Sequence, residues 1–215
     1  MVSSYKCHLV VAGAQKAGTT WIHNTLEYQD NFCCPKDSQE VHFFDRYYDM
    51  GYEKYEEKYK KCQKDGITFD VTPAYLCHPL VPKRISAYDR ISSKKVKIMI
   101  SLRNPVERAI SAYKMKVNKG GYKEKLSEAI KVDKSLVGKS KYLNAIKKYI
   151  KYFDNKNVKI LVMEELFNDT DSALNEIKEF VDYKNEIVNI YKDTRLNKTS
   201  GGGTPLVVRA TSRAL

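Results

Sequence analysis

The sequence predicts an α/β domain of three layers, a central, mainly parallel sheet with helices on both faces. Three observations predict it. Four short runs rich in Val and Ile recur along the 215 residues, at 7–12, 67–71, 96–102 and 158–163. Amphipathic segments of helical period lie between them. The first run breaks into a glycine loop that opens one of these segments, and strand–helix alternation of this kind builds a parallel sheet through right-handed crossovers. Each run is apolar with polar flanks, as strands covered on both faces are.

In chain order, the run ending Leu9-Val10-Val11-Ala12 is the first strand, and Trp21, Ile22, Thr25 and Leu26 mark the apolar side of a helix over 19–29. Between them lies Gly13-Ala14-Gln15-Lys16-Ala17-Gly18-Thr19-Thr20. A strand, a glycine loop and a helix N-terminus in that order make an anion cradle, because free backbone N–H groups converge where the helix dipole is positive. The spacing Gly13-x4-Gly18-x-Thr20 copies the outline of a Walker A loop, so the layered domain is expected to be P-loop-like. Walker A places its lysine directly after the second glycine, where this chain has Thr19; here Lys16 sits inside the loop. A phosphate-like ligand is expected, held otherwise than ATP with magnesium.

The stretch Gln39-Glu40-Val41-His42-Phe43-Phe44-Asp45 reads as extended. Alternation then puts Glu40, His42 and Phe44 on one side, with Val41 and Phe43 on the other. A carboxylate beside an imidazole suits acid/base work, and it suits a paired polar strand edge equally. Residues 47–61 interleave tyrosines with charges; their acidic members favour a solvated helix with tyrosine anchors, over 52–63, above a base-stacking surface. Asp70-Val71-Thr72-Pro73-Ala74-Tyr75 ends the second strand in a proline turn, and Pro79 suits the first turn of a helix over 79–90.

The run 96–102 ends with Arg103 at its tip, and Pro105 opens a helix over 105–118 that places Ser111 about two turns along. The planar fork of Arg103 suits a phosphate, while Arg108 is equally suited to Glu107 or to a neighbouring helix. Further helices are expected over 140–153 and 170–182, the last capped by Asp169 or Thr170 and carrying Ala173, Leu174, Ile177, Phe180 and Val181 at helical spacing. From Tyr183 the periodicity lapses, and Ser200-Gly201-Gly202-Gly203-Thr204-Pro205 is a glycine loop or a linker.

The chain suits a single domain over 1–215, with 183–215 as its irregular end. Lysine and arginine number 38 against 26 acidic residues, a formal charge of +12. Such an excess favours anionic partners or simply solvates helix faces. Five cysteines without regular spacing argue against a disulfide framework. Cys77-His78 lacks further ligands at metal-binding spacing, so no metal is expected. Neither a signal-peptide apolar region nor a membrane-length run is present, so the sequence reads as a soluble, cytoplasmic protein whose partners include neither membrane nor nucleic acid.

These motifs together resemble the sulfotransferases that use 3′-phosphoadenylyl sulfate (PAPS). The loop Gly13 to Thr20 is similar to their 5′-phosphosulfate loop, and Arg103-Asn104-Pro105-x-x-Arg108-x-x-Ser111-x-Tyr113 to their 3′-phosphate motif. Glu40 to Asp45, Thr72-Pro73-Ala74-Tyr75 and Asn197-Lys198-Thr199 resemble the branch that modifies heparan sulfate, the glucosaminyl 3-O-sulfotransferases and N-sulfotransferases. The similarity runs in register from about residue 8 to about residue 200.

The resemblance implies sulfonate transfer to a hydroxyl or amine acceptor, a sugar or small hydroxylated molecule, with an anionic glycan among the candidates. It implies Glu40 as general base, His42 assisting, and Lys16 on the leaving phosphate. Ala17, Gly18, Thr19 and Thr20 would hold the 5′-phosphate; Arg103 and Ser111 would hold the 3′-phosphate, with Lys198 and Arg209 as further contacts. No metal is needed. Vertebrate heparan enzymes carry a lysine where this chain has Val71, and their Golgi members carry a membrane anchor. The rival readings are a P-loop small-molecule kinase and a non-catalytic basic module that binds anions or glycans.

Overall fold

The computed structural model describes residues 9–62, 66–92 and 95–191. Strand β1 (Leu9–Gly13) leads through the glycine loop into α1 (Thr19–Glu27), and a two-residue strand β2 (Phe32–Cys33) follows. Two short helices, α2 (Phe43–Arg46) and α3 (Tyr52–Glu57), precede β3 (Ile67–Val71). A 3-10 turn (Pro73–Cys77) then enters α4 (Val81–Ile91), β4 (Lys97–Leu102) and α5 (Pro105–Asn118). The remainder is largely helical: α6 (Leu126–Val132), α7 (Ser135–Gly138) and α8 (Leu143–Tyr152) come before β5 (Val158–Val162), and α9 (Met163–Asn168) and α10 (Thr170–Phe180) after it.

Among the described residues the five strands form one sheet in the order β2-β3-β1-β4-β5, every neighbouring pair parallel. Side chains alternate across a strand, and β1 shows what that does to the core. Val10 and Ala12 join Ile98 and Ile100 in a cluster with Phe43, Phe44, Tyr55, Tyr88 and Tyr149. Leu9 and Val11 turn to the other face, with Met99, Trp21, Ile22, Leu174 and Ile177. Helices therefore cover both faces, as the apolar runs require. β5 departs from that pattern: it lies at the edge, with Ile160 and Val162 partly exposed.

The four expected strands form, as do helices within all six expected ranges. β2 is missed because two residues carry no readable alternation, and α6, α7 and α9 are too short to show a period. Pro79 stands outside α4, which starts at Val81 with Pro82 in its first turn; the His78 ring accepts the Leu80 N–H ahead of it at 3.3 Å. Tyr55 and Tyr59 are fully buried, the anchors expected of residues 47–61.

Two expectations need correction, and one open alternative is decided. Residues 43–46 are helical and not extended, because Phe43 and Phe44 both belong to the core and alternation would expose one of them. The cysteine reading fails at Cys33 and Cys62, which form a disulfide, while Cys34 and Cys77 are free. Arg108 selects the neighbouring helix over Glu107: it is buried, its Nε donates to Ser140 Oγ at 2.5 Å, and its Nη2 donates to the Leu136 carbonyl.

Candidate active site

The glycine loop hangs from the carboxyl end of β1, where ligands bind in open parallel sheets. Gly13 has φ +144°, and a Cβ there would lie 2.8 Å from the Pro73 carbonyl oxygen and 2.9 Å from Leu76 Cβ. Only glycine lets the loop leave the strand this close to the turn after β3. Gly18, at φ 79°, is the N-cap of α1, and no side chain caps that helix. Its first N–H groups are therefore left for a ligand. β4 steadies the loop from beneath: the Ala14 N–H donates to the Ser101 carbonyl and the Ser101 hydroxyl to the Ala17 carbonyl, both at 2.6 Å.

Lys16 is half-buried in this loop at φ 72°. Burial pushes its ammonium below the ordinary lysine value, and the charges of Arg103 and Lys119 push it further the same way. Among the described residues no carboxylate is paired with Lys16. The donor set of guanidinium, ammonium and helix N–H fits phosphate groups. Arg103 follows β4 directly; its one carboxylate contact among the described residues, Glu107, is long at 3.5 Å, and its carbonyl accepts from Tyr142. Asn104 caps α5 by accepting from the Val106 and Glu107 N–H groups. Ser111 lies half-buried on α5, while Thr19 is buried and Thr20 exposed. Lys198 and Arg209, like the glycine stretch 200–205, lie outside the described residues.

Glu40 and His42 meet, although not by alternation. His42 Nε2 lies 3.0 Å from Glu40 Oε2, and His42 Nδ1 lies 2.9 Å from Asp45 Oδ2. One turn of helix, and not a strand, brings Asp45 under the ring. Asp45 is buried at 7% side-chain exposure and Glu40 is open at 45%, so the inner carboxylate orients the imidazole and the outer one faces solvent. His42 holds a left-handed backbone, φ 54°, and its carbonyl accepts the Arg46 N–H at 3.0 Å.

The buried Asp70 organises this turn from below. Its Oδ1 accepts from Thr72 Oγ1 at 2.6 Å and its Oδ2 from Tyr75 at 2.9 Å and Tyr55 at 3.2 Å. Thr72 Oγ1 in turn accepts the Val41 N–H at 3.1 Å and the His42 N–H at 3.4 Å, and Tyr75 accepts the Phe44 N–H at 3.3 Å. Arg84 donates to the Phe44 carbonyl at 2.7 Å. Complete burial raises the Asp70 carboxyl to about 6, a rise that the three hydroxyl donors partly offset. Val71, one residue on, packs into the opposite core face and not into this site.

The two halves adjoin. Ala14 and Ala17 of the loop share one core cluster with Val41, Phe43, Phe44 and Tyr75. Sequence reasoning named Lys16, Arg103, Glu40 and His42, which fall into these two groups, and gave no role to Asp45, Thr72, Ser101 or Lys119. Asp70 and Ser101 did leave a signal, each a polar residue near the carboxyl end of a largely apolar strand.

Comparison with known proteins bears on the family and the fold. The human heparan sulfate glucosamine 3-O-sulfotransferase 3B1 is 27% identical over 201 residues, covering 89% of this chain and 50% of the relative. The membrane-associated sulfotransferase kil1 of Dictyostelium discoideum is 28% identical over 109 residues, covering 49% of this chain and 22% of its own length. The chain thus spans about half the length of the 3-O-sulfotransferases it matches first. Among solved structures, a sulfotransferase from Alicyclobacillus acidocaldarius superposes with a TM-score of 0.73 at 20% identity, covering 83% of this chain and 82% of that one. Mouse sulfotransferase SULT7A1, solved with PAP, superposes at 0.60 and 16%, covering 84% of this chain and 59% of that one. Residues 6–207 match the family model described as a sulfotransferase domain, and the chain belongs to that family.

Proposed function

We propose that the protein is a PAPS-dependent sulfotransferase that carries the sulfonate group to an acceptor hydroxyl or amine. The observation that carries this reading is the meeting of two unlike groups at the carboxyl end of the sheet. One is a cation cluster, Lys16 with Arg103 and Lys119, beside an uncapped helix N-terminus. The other is the Glu40–His42–Asp45 relay.

In the reaction the acceptor oxygen forms a bond to sulfur while the bond from sulfur to the 5′-phosphate oxygen breaks. The acceptor proton passes to the Glu40 carboxylate, which His42 orients and Asp45 holds through the ring. Lys16 and the N–H groups of residues 18–20 stabilise the charge that grows on the departing phosphate, the Ala17 N–H being given to the Ala14 carbonyl at 3.2 Å. Arg103, with Ser111 and the outlying Lys198 and Arg209, would hold the 3′-phosphate. No metal is assigned a part, because Lys16 meets the developing charge directly. The family resemblance makes a glycan a candidate acceptor.

The kinase reading is less well supported, since Lys16 precedes the second glycine and Arg103 would lack a phosphate of its own. The test is thermal unfolding with 3′-phosphoadenosine 5′-phosphate (PAP) against ATP with magnesium. A stabilising shift with PAP is expected; a shift with ATP and magnesium alone would overturn the reading. Among the described residues no helix is long and apolar enough to cross a membrane. In the cytoplasm proposed from the sequence, Cys33 and Cys62 would be held reduced, so thiol titration of the protein isolated from its native cell tests that location.

A further inference from the structure

Linear spacing offers no metal site, yet packing assembles the donors for one. His23 and Glu27 stand four residues apart on α1, so the helix puts both on one face. Cys34 directly follows β2, which packs against the same helix. One ligand atom from each of the three lies within 4.8 Å of the other two. The His23 ring is 6% exposed, and its Nδ1 has no hydrogen-bond partner among the described residues. Its Nε2 reaches Glu27 Oε2 at 3.6 Å, too long for a hydrogen bond. That separation is close to the edge of a tetrahedron centred on zinc, about 3.4 Å for zinc–nitrogen and zinc–oxygen bonds of about 2.0–2.2 Å. Cys34 is a free thiol, 8% exposed, while its neighbour Cys33 is taken by the disulfide. Glu27 ends α1, whose last turn carries no basic residue, so its carboxylate adds to the negative end of the helix dipole. Among the described residues no lysine or arginine is ion-paired with it.

We propose that His23, Glu27 and Cys34 form a zinc site, with water as the fourth ligand on the open side beside Glu27, which is 54% exposed. A nitrogen, a carboxylate oxygen and a sulfur suit zinc, whereas magnesium and calcium take oxygen ligands. Binding breaks the S–H bond: the proton leaves to solvent, the sulfur lone pair goes to the metal, and no oxidant or reductant takes part. The site stands apart from the proposed transfer chemistry. His23 packs edge-on against Phe69 at 5.6 Å, and Phe69 and Cys34 belong to the core face opposite that of Val41, Phe43 and Phe44. The role of the metal is to join. α1 begins at the phosphate cradle, and Cys34 opens the segment that runs on to Glu40 and His42. One ion would tie the two proposed halves of the active site at their common root.

The test uses the full chain with the Cys33–Cys62 disulfide formed, stripped of metal by a chelator and then titrated with Zn²⁺ alone. A parallel titration uses Co²⁺ as a spectroscopic probe. We expect a single Zn²⁺ bound per chain and a raised unfolding temperature. Co²⁺ should give a thiolate-to-metal charge-transfer band together with the visible bands of a four-coordinate ion. Losing a group that merely supports a metal ligand costs about 10- to 100-fold in affinity, so losing a ligand should cost at least as much. Glu27→Gln, at an exposed position, should therefore weaken zinc binding at least about tenfold without disturbing the core. Cys34→Ser should abolish the charge-transfer band, and Cys77→Ser, at the exposed free thiol, should leave band and affinity unchanged. Failure to bind Zn²⁺ would overturn the proposal. So would an unchanged zinc affinity in Glu27→Gln or a charge-transfer band that survives in Cys34→Ser, either of which would mean an adventitious ion only.

Discussion

The Ser101 hydroxyl donates to the Ala17 carbonyl at 2.6 Å, tying the middle of the glycine loop to the strand beside it. Ser101 is fully buried, and its own carbonyl takes the Ala14 N–H. One residue thus grips the loop at two points three residues apart. Ser101→Ala keeps the backbone bond and loses the other, leaving a buried carbonyl unsatisfied. PAP affinity should fall about threefold to tenfold, measured by calorimetry, with unfolding temperature lowered modestly.

Glu40→Gln keeps the shape of the relay and removes the proposed base. Sulfonate transfer should drop by about 10² to 10⁴, the usual contribution of a general base, while the PAP dissociation constant stays within about twofold. Collapse of PAP affinity with transfer per bound nucleotide intact would show that the base is assigned to the wrong residue.

Thr72→Val deletes the acceptor shared by the Val41 and His42 N–H groups without touching the glycine loop. The expected outcome is a kcat lowered about tenfold or more with little change in PAP binding, and Thr72→Ser should restore most of it. Equal losses in PAP affinity and kcat would argue that Thr72 acts on the whole fold.

Asp70 makes stability depend on pH in an unusual direction. Its carboxyl titrates near 6 in the fold, above the ordinary carboxylate value, so between those values the native state holds a proton that the unfolded chain has released. Stability contributed by this group is full at the acid end of that window and is lost as pH rises to about 6. Denaturant midpoints taken from pH 4 to 7 should show the trend, and Asp70→Asn should flatten it.

Cys33 and Cys62 close a loop of 29 residues that contains the relay. Cys62→Ser should cost about 3 to 4 kcal/mol by loop-closure entropy, read from urea midpoints against the oxidised protein. The same variant treated with reductant should show no further loss.

Much of the fold was legible because parallel strands announce themselves: 67–71, 96–102 and 158–163 needed only their apolar runs. The site was legible where backbone chemistry dictates sequence, as at Gly13, Gly18 and Lys16. The relay was readable in its residues and misread in its conformation, because period-2 alternation over six residues cannot be told from a helical turn that buries two adjacent phenylalanines. Asp45 was missed for that reason. Lys119 was missed because its approach to Lys16 depends on where α5 ends, and the disulfide because Cys33 and Cys62 meet only through packing.

The strand order has a further consequence. β1 stands between β4, which leads into the proposed nucleotide grip through Ser101 and Arg103, and β3, which supports the proposed base through Asp70 and Thr72. Donor and acceptor are thus served by opposite neighbours of a single strand. Exposed positions around the relay, such as Tyr47 and Met50, can change, and with them the choice of acceptor, while the donor half is kept intact. A family built on this plan can diversify its products one side at a time.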